Sequence, residues 1–309
     1  MVYVCREGTT CECNSSWLPR FKLPGPVSSE EDFDSSSSAS LNMWTEVVEH
    51  YSRRHISFHQ DRLPAISSLA SFYEEAAGRY LAGLWESHLP ECLLWWTDRG
   101  HRPEPSNSSM SYPPSWSWAS TEGAVITRSS GETWLPTASV LDVSVHPSTS
   151  DPKGLVSGGY ITIQGHLLPL QSSWHRDDLE NDYTFRQYNI NCHTTWQAGD
   201  GLEWTDGHAW HCSLDNIGSL RPLPKAGEFD TPVFLLIIGT SNHGGLHKSY
   251  RTFEGLILKP VENLNELQMK ATKRFGSELA CVRFGLGMLR LRAHSVDLPK
   301  DCTKTVTIF

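Results

Sequence analysis

The sequence has no long apolar run. The longest, Val233–Ile238, is far shorter than the roughly 18–20 residues that a membrane-spanning helix needs. The N-terminus lacks the basic and apolar regions of a secretory signal. Lys and Arg number 26 against 35 Asp and Glu, the net charge is −9, and no basic cluster stands out. These absences argue against a membrane or nucleic-acid partner, and we expect a cytoplasmic protein.

Motifs for common chemistries are also missing. There is no Gly-x-Ser-x-Gly, and the glycines Gly285 and Gly287 lack the Lys and the helix of a phosphate loop. The eight cysteines are scattered, which favours reduced thiols. The catalytic residues, if a reaction is catalysed at all, are therefore unknown from the sequence, and no cofactor is predicted.

One group of residues has the side chains that zinc accepts: Cys192 and His193, with His208, His211 and Cys212 further on. Their spacing matches no closed zinc site, and 14 histidines in 309 residues make near neighbours common by chance. The alternative is a polar loop whose histidines face water. We predict no metal.

Tryptophan is abundant, with twelve in the chain and five of them between Trp85 and Trp118. Each indole can bury roughly 150–250 Å². The segment around 80–120 is therefore predicted to join the two halves of the protein.

The sequence pattern of the N-terminal third predicts several short helices. Apolar residues at helical spacing predict a helix over 41–51, and a second from Pro64 to Gly78, because proline suits a first turn and glycine a helix end. Tyr80–Trp85 and Glu91–Trp96 are predicted as two further helical pieces. Four basic residues follow the first helix and are compatible with anion binding or with a solvated helix end: Arg53, Arg54, His55 and His59.

From Trp116 onward the sequence is typical of β-structure, with Trp116 and Trp118 on one face of a strand. A helix is expected within 262–275. We predict an α+β fold in which short N-terminal helices pack on a mostly antiparallel β-barrel or β-sandwich. The predicted units are a remnant strand and disordered linker (1–40), a helical Trp-rich segment (41–114), and the barrel or sandwich (115–309) with an irregular polar insertion (171–220).

A β-barrel can enclose a small ligand in an aromatic-lined pocket. Such a pocket could also orient a substrate for a cyclisation that needs little acid–base help. The alternative is that the same rings simply form the core. The residues chosen for the pocket, by residue type and strand position, are Trp116, Trp118, Tyr160, His166, Trp196, His208 and His211.

Several pieces of the chain together resemble a known family. They are Asp61–Ala70, Tyr80–Trp85, Leu93–Trp95, Pro114–Ser120, Gly227–Phe229, Val233–Gly239, Gly255–Val261 and Thr305–Ile308, with Trp44, Val48 and Tyr51–Arg53 upstream. This combination is similar to the region that follows the HET domain in fungal heterokaryon-incompatibility proteins. By this resemblance we expect the HET domain itself, which is associated with self-recognition and cell death, to be largely missing, because only Val2–Glu7 resembles its last strand.

The resemblance implies a non-catalytic interaction or regulatory module, with a protein partner and no catalytic residue carried over. A second hypothesis stays open, in which the barrel has been re-used as a small-molecule-binding enzyme of fungal secondary metabolism, cyclase- or isomerase-like. A shallow surface would favour the first hypothesis, and a deep aromatic pocket the second.

Overall fold

A computed structural model describes residues 2–5, 8–11, 42–97, 112–128, 134–170, 209–214, 233–245, 248–261, 263–292 and 302–309. At the N-terminus, strand β1 (Val2–Cys5) pairs with β2 (Gly8–Cys11) in an antiparallel hairpin. None of the helices in these ranges is long and apolar enough to cross a membrane.

Helix α1 spans 42–52 and buries Trp44, Val47 and Val48, as its apolar spacing predicts. The predicted second helix is instead a series of single turns: 3-10 helices His59–Asp61 and Pro64–Ile66, then α2 (Ser67–Ala70) and α3 (Glu74–Ala77). Between α2 and α3 the backbone bonds are of the i to i+3 type, such as Tyr73 N to Ala70 O at 3.0 Å, so the α-helix is interrupted there.

Tyr80–Trp85 is not helical, and that prediction is wrong. It forms a β-hairpin of β3 (Tyr80–Leu81) and β4 (Leu84–Trp85). The two turn residues between the strands, Ala82 and Gly83, have φ of 48° and 98°. Positive φ at both central residues is typical of the tight turns that join antiparallel strands.

The predicted helix over Glu91–Trp96 is also mostly wrong. Only Glu91–Leu93 forms a 3-10 turn, after a similar turn at Glu86–His88. The chain then enters strand β5 (Trp95–Thr97), which pairs with β6 (Val125–Thr127).

Trp116 and Trp118 do not lie in a strand, contrary to prediction. Ser117 N donates to Pro114 O at 2.9 Å, which closes a turn. The 3-10 helix Trp118–Ser120 follows, and the Ser117 hydroxyl caps it by accepting from Ala119 N. Both rings are nevertheless buried.

The remaining strands begin after the Trp118 turn and supply most of the β-structure. They are β7 (Trp134–Pro136), β8 (Ser139–Pro147), β9 (Val156–Leu170), β10 (Ala209–Leu214), β11 (Val233–Gly245), β12 (Lys248–Pro260), β13 (Leu279–Arg292) and β14 (Thr303–Ile308). Strand β10 lies inside the segment that was predicted to be an irregular insertion, and it pairs with β13. The rest of that insertion is outside the described residues.

Five strands close into a barrel in the order β9, β11, β12, β13, β14 and back to β9. Within the barrel β13 and β14 are parallel, and the other neighbouring pairs are antiparallel. Strands β7, β8 and β10 are added outside this ring. The predicted α+β fold with a mostly antiparallel barrel is confirmed.

The barrel closes at a fork. Strand β9 pairs with β11 only over Leu167–Leu170 and Val233–Leu236, beyond which the two strands separate. Strand β7 then follows β11 while β8 follows β9. At the branch point a Cβ on Gly165 would lie 3.0 Å from the Ala138 Cβ and 3.1 Å from Ile237 O, so the fork favours glycine there.

Helix α4 (Glu266–Arg274) connects β12 to β13, within the predicted span. It begins at a capping box in which Asn265 and Gln268 each bond the other's backbone N–H. Its last turn is basic, and Arg274 forms an ion pair with Asp142 of β8 at 3.3 Å. The helix is therefore held against the edge of the sheet.

One contiguous hydrophobic core runs from Trp44 in α1 to Ile308 in β14. It includes alternate strand residues such as Ile161, Ile163 and Leu236. The residues between them, including Leu235 and Ile237, are also buried, so these strands are covered on both faces.

Candidate functional site

The hairpin turn at Ala82–Gly83 is the point where distant tryptophans meet. Its Gly83 carbonyl accepts from the Trp118 Nε1–H at 2.8 Å and from the Trp44 Nε1–H at 3.0 Å. The neighbouring Ala82 carbonyl accepts from the Ser117 hydroxyl. Because these donors lie 35 to 39 residues away in sequence, the turn fastens α1 and the Trp118 turn to the hairpin.

The rings around this turn form a tight aromatic cluster. Trp44 makes edge-to-face contacts with Tyr73, Tyr80 and Trp85 at centroid distances of 5.3, 6.1 and 5.5 Å. Such contacts add about 0.5–1.5 kcal/mol each beyond the area buried. The exposed fractions of Trp85, Trp95, Trp116 and Trp118 are 0, 1, 0 and 1 %. These four indoles are core residues.

A small apolar cavity of about 30 Å³ lies beneath the cluster. Its walls come from α1, the hairpin and β5: Trp44, Thr45, Val48, Gly83, Leu84, Cys92, Leu94, Trp95, Trp118 and Thr127. One water needs roughly 10–15 Å³ of such space, whereas pockets for small molecules run to about 300–1,000 Å³. The cavity therefore has room for a water or two, and a metabolite would not fit.

Arg283 links this cluster to the barrel. It lies in β13, and its side chain is fully buried. Its guanidinium donates to Leu93 O at 2.6 Å and to Trp95 O, and it lies 3.4 Å from the centroid of the Trp95 ring. Its backbone N–H donates to the Ser115 hydroxyl at 2.8 Å. One strand residue thus holds two parts of the Trp-rich segment.

Two carboxylates share one arginine. Arg128 Nε donates to Glu254 Oε2 at 2.9 Å, and Arg128 Nη1 donates to Glu91 Oε1 at 3.1 Å. Ser241 donates to the other Glu254 oxygen at 3.0 Å, and the guanidinium lies 5.8 Å from the centroid of the Trp134 ring. Burial raises the pKa of Glu91, although Arg128 acts to lower it. A carboxyl group with a raised pKa can exchange a proton nearer to neutral pH.

The structure places the predicted pocket residues in different surroundings. Trp116 and Trp118 belong to the core described above. The Tyr160 hydroxyl donates to Asp142 Oδ2 at 2.8 Å, and burial, followed by the Asp142 bond, raises its pKa. His166 is six residues further along β9, or about 20 Å away, and burial lowers its pKa.

The other predicted site residues are only partly described. His211 lies in β10 opposite Met288, and Cys212 lies opposite Gly287. Four residues are outside the described ranges: Cys192, His193, Trp196 and His208. Within those ranges no three His, Cys, Asp or Glu side chains are grouped so as to hold a metal ion. The pocket remains a prediction.

Sequence reasoning missed Arg283, Arg128 and Glu254 as a functional set. A faint signal exists, because Arg283 is the single charge in the otherwise apolar run 279–289. A buried charge is expensive without a partner, so such a residue predicts a specific contact. The identity of that contact depends on segments more than a hundred residues away.

Comparisons of the chain with protein-family models, curated proteins and solved structures give no match. The resemblance to heterokaryon-incompatibility proteins therefore rests on the sequence motifs alone.

Proposed function

We propose that the chain is a non-catalytic interaction or regulatory module related to fungal heterokaryon-incompatibility proteins. The observation that carries the proposal is how its tryptophans are used. Two of the motifs behind the resemblance, Tyr80–Trp85 and Pro114–Ser120, bind each other through Gly83 O and Ala82 O. Their rings stabilise a scaffold and leave a cavity of only about 30 Å³ between them.

The polar groups near this scaffold support the same proposal, because they are engaged with one another. Arg283 is satisfied by two backbone carbonyls, and Glu254 by Arg128 and Ser241. Groups held in this way fix the relative positions of segments, which is what a rigid recognition surface requires.

Large apolar side chains are available on the surface for a protein partner. Their exposed fractions range from 39 to 67 %, and they are Phe58, Phe72, Leu135, Leu141, Leu267 and Met269. Leu267 lies on α4, whose last turn carries the exposed residues Lys273 and Arg274. Mixed apolar and basic surfaces of this kind suit a partner with acidic residues around an apolar anchor.

The proposal is tested by placing a photoreactive amino acid at Leu267, and separately at Phe58, in cells that make the protein. The matched control is Ser150, an exposed residue in the loop between β8 and β9. We expect cross-links to a defined protein from Leu267 or Phe58 and none from Ser150. Equal cross-linking from all three positions would count against a protein-binding surface.

The second candidate is a small-molecule enzyme of fungal secondary metabolism. The observation in its favour is the pair Glu91 and Glu254 on either side of Arg128, beside the Trp134 ring. A carboxyl with a raised pKa could donate the proton of a cyclisation or isomerisation. Native mass spectrometry of the purified protein decides between the candidates, because a retained metabolite that is lost in Glu91→Gln would favour the enzyme.

A further inference from the structure

Arg62 is buried without an acceptor. Its side chain lies 5.5 Å from the centroid of the Trp118 ring, and the residue is 4 % exposed. Its carbonyl accepts from the Tyr51 hydroxyl at 2.7 Å. The guanidinium nitrogens Nε and Nη2, however, are buried and have no hydrogen-bond partner.

This arrangement differs from that of Arg283, the other arginine that is buried among the described residues. Arg283 also lies against an indole, but two carbonyls satisfy it. Burial acts to lower the pKa of Arg62, and Tyr51 and then Glu122 oppose this only through electrostatic attraction. A buried charged group that lacks partners is costly, and the ring beneath it offsets only part of that cost. The buried guanidinium therefore needs a hydrogen-bond acceptor to offset the cost of its burial.

The surroundings favour a small anion as that acceptor. Arg53, Arg54 and His55 are exposed just after α1, and the charge of Arg54 acts to lower the pKa of Tyr51, whose hydroxyl bonds the Arg62 carbonyl. Two acidic groups oppose an anion here, Asp61 and the exposed Glu122. Since Glu122 is at the surface, its side chain can turn away when an anion arrives.

We propose that Arg62 anchors a binding site for a small oxyanion, a phosphate or carboxylate group, beside the end of α1. Arginine presents its N–H groups in a planar fork that matches two oxygens of such a group. The Trp118 ring holds the guanidinium from one side, and the neighbouring basic residues raise the local concentration of anions. This inference does not depend on the proposed function.

The test is calorimetric titration of the full chain with inorganic phosphate and with acetate, each compared with chloride at equal ionic strength. We expect saturable binding of at least one oxyanion and none of chloride. Arg62→Met should weaken that binding about 10- to 100-fold, since charge-assisted hydrogen bonds are worth about 1.5–3 kcal/mol. Glu122→Gln should tighten it about 2- to 5-fold by removing a competing surface charge.

Two further variants serve as a control and as a substitute for Arg62→Met. Arg79→Gln is the matched control, because Arg79 is paired with Glu86 at 2.7 Å and should not affect binding. If Arg62→Met does not fold, Arg62→Lys keeps the charge without the fork and should bind more weakly than the wild type.

Thermal unfolding gives an independent readout. In chloride, Arg62→Met should melt at the same temperature as the wild type or higher, because an unpaired buried charge has been removed. In phosphate the wild type should be the more stable of the two, because only it binds. Unchanged phosphate affinity in Arg62→Met, or heats that match those of chloride, would overturn the proposal. So would a stability coupling between Arg62 and Glu122 without any effect of phosphate.

Discussion

Gly83→Ala tests the central contact of the fold. A Cβ at Gly83 would lie 2.5 Å from Trp118 Nε1 and 2.8 Å from Trp118 Cε2. The indole cannot move aside, because Trp118 is 1 % exposed and packs within the core. Relief must therefore come from the turn, whose carbonyl accepts the indole N–H groups of both Trp44 and Trp118.

The magnitude follows from three contributions. Overpacking a fixed core costs about 1–3 kcal/mol. A left-handed backbone with a Cβ, here at φ 98°, costs about 1–2 kcal/mol. Weakening the two indole hydrogen bonds adds about 0.5–1.5 kcal/mol for each bond lost. With both bonds lost, these contributions sum to about 3–8 kcal/mol in the free energy of unfolding, a large part of the roughly 5–15 kcal/mol that holds a typical domain together.

Urea unfolding followed by circular dichroism measures this loss as a change in midpoint at constant slope. The matched control is Gly276→Ala, because Gly276 also has positive φ (61°) but an added Cβ there meets nothing within 4 Å. The control should lose only about 1–2 kcal/mol from the backbone. If the free energies of unfolding of the two variants differ by less than about 1 kcal/mol, the added Cβ costs no more at Gly83 than at Gly276. The indoles then do not hold the turn in place.

Three other predictions follow from the same contacts. Arg283→Ala should lower the free energy of unfolding by about 3 kcal/mol or more, because Leu93 O and Trp95 O lose a buried donor. Chemical denaturation measures this change. A loss below about 1 kcal/mol, which one ordinary hydrogen bond would give, would refute the link. Ser117→Ala should cost about 1–2 kcal/mol through loss of a cap and of the bond to the Ala82 carbonyl, and an unchanged melting temperature would contradict this. Burial raises the pKa of Glu91 in the folded protein above its ordinary value of 4.5. The carboxyl therefore stays protonated to a higher pH in the folded than in the unfolded protein, and the free energy of unfolding falls as pH rises above about 4.5. Glu91→Gln should therefore gain stability relative to the wild type as pH rises from 4.5, and a constant difference in unfolding titrations from about pH 4 to 7 would refute it.

The hairpin at Tyr80–Trp85 illustrates why some local predictions were wrong. Its large residues fall at positions 80, 81, 84 and 85, a spacing that fits one face of a helix as well as two short strands. The short piece Ala82–Gly83 is a weak turn signal by itself. The choice of hairpin is stabilised by indole N–H groups from Trp44 and Trp118, which no local window of sequence contains.

The turn at Trp116–Trp118 is a second example of a local prediction that was wrong. The alternation of two tryptophans predicts one face of a strand, and from there a pocket wall. Ser117 instead caps a 3-10 helix and donates to the hairpin, so both rings enter the core from a turn. Predicting burial from residue type succeeded, because the cost of exposing indole is local and large. Which residues the rings contact depends on the tertiary structure and does not follow from the local sequence.

The sequence by itself determined the class of the fold, since alternation, turn residues and apolar spacing are properties of neighbouring residues. It also determined that Trp85, Trp95, Trp116 and Trp118 would be buried. Only the tertiary structure decided how the barrel closes at the β9–β11 fork, that Arg283 is satisfied by the chain near Trp95, and that Arg62 is left without an acceptor. The physical reason is that these outcomes depend on hydrogen bonds and charges brought together across the chain, by up to 190 residues for Arg283 and Leu93.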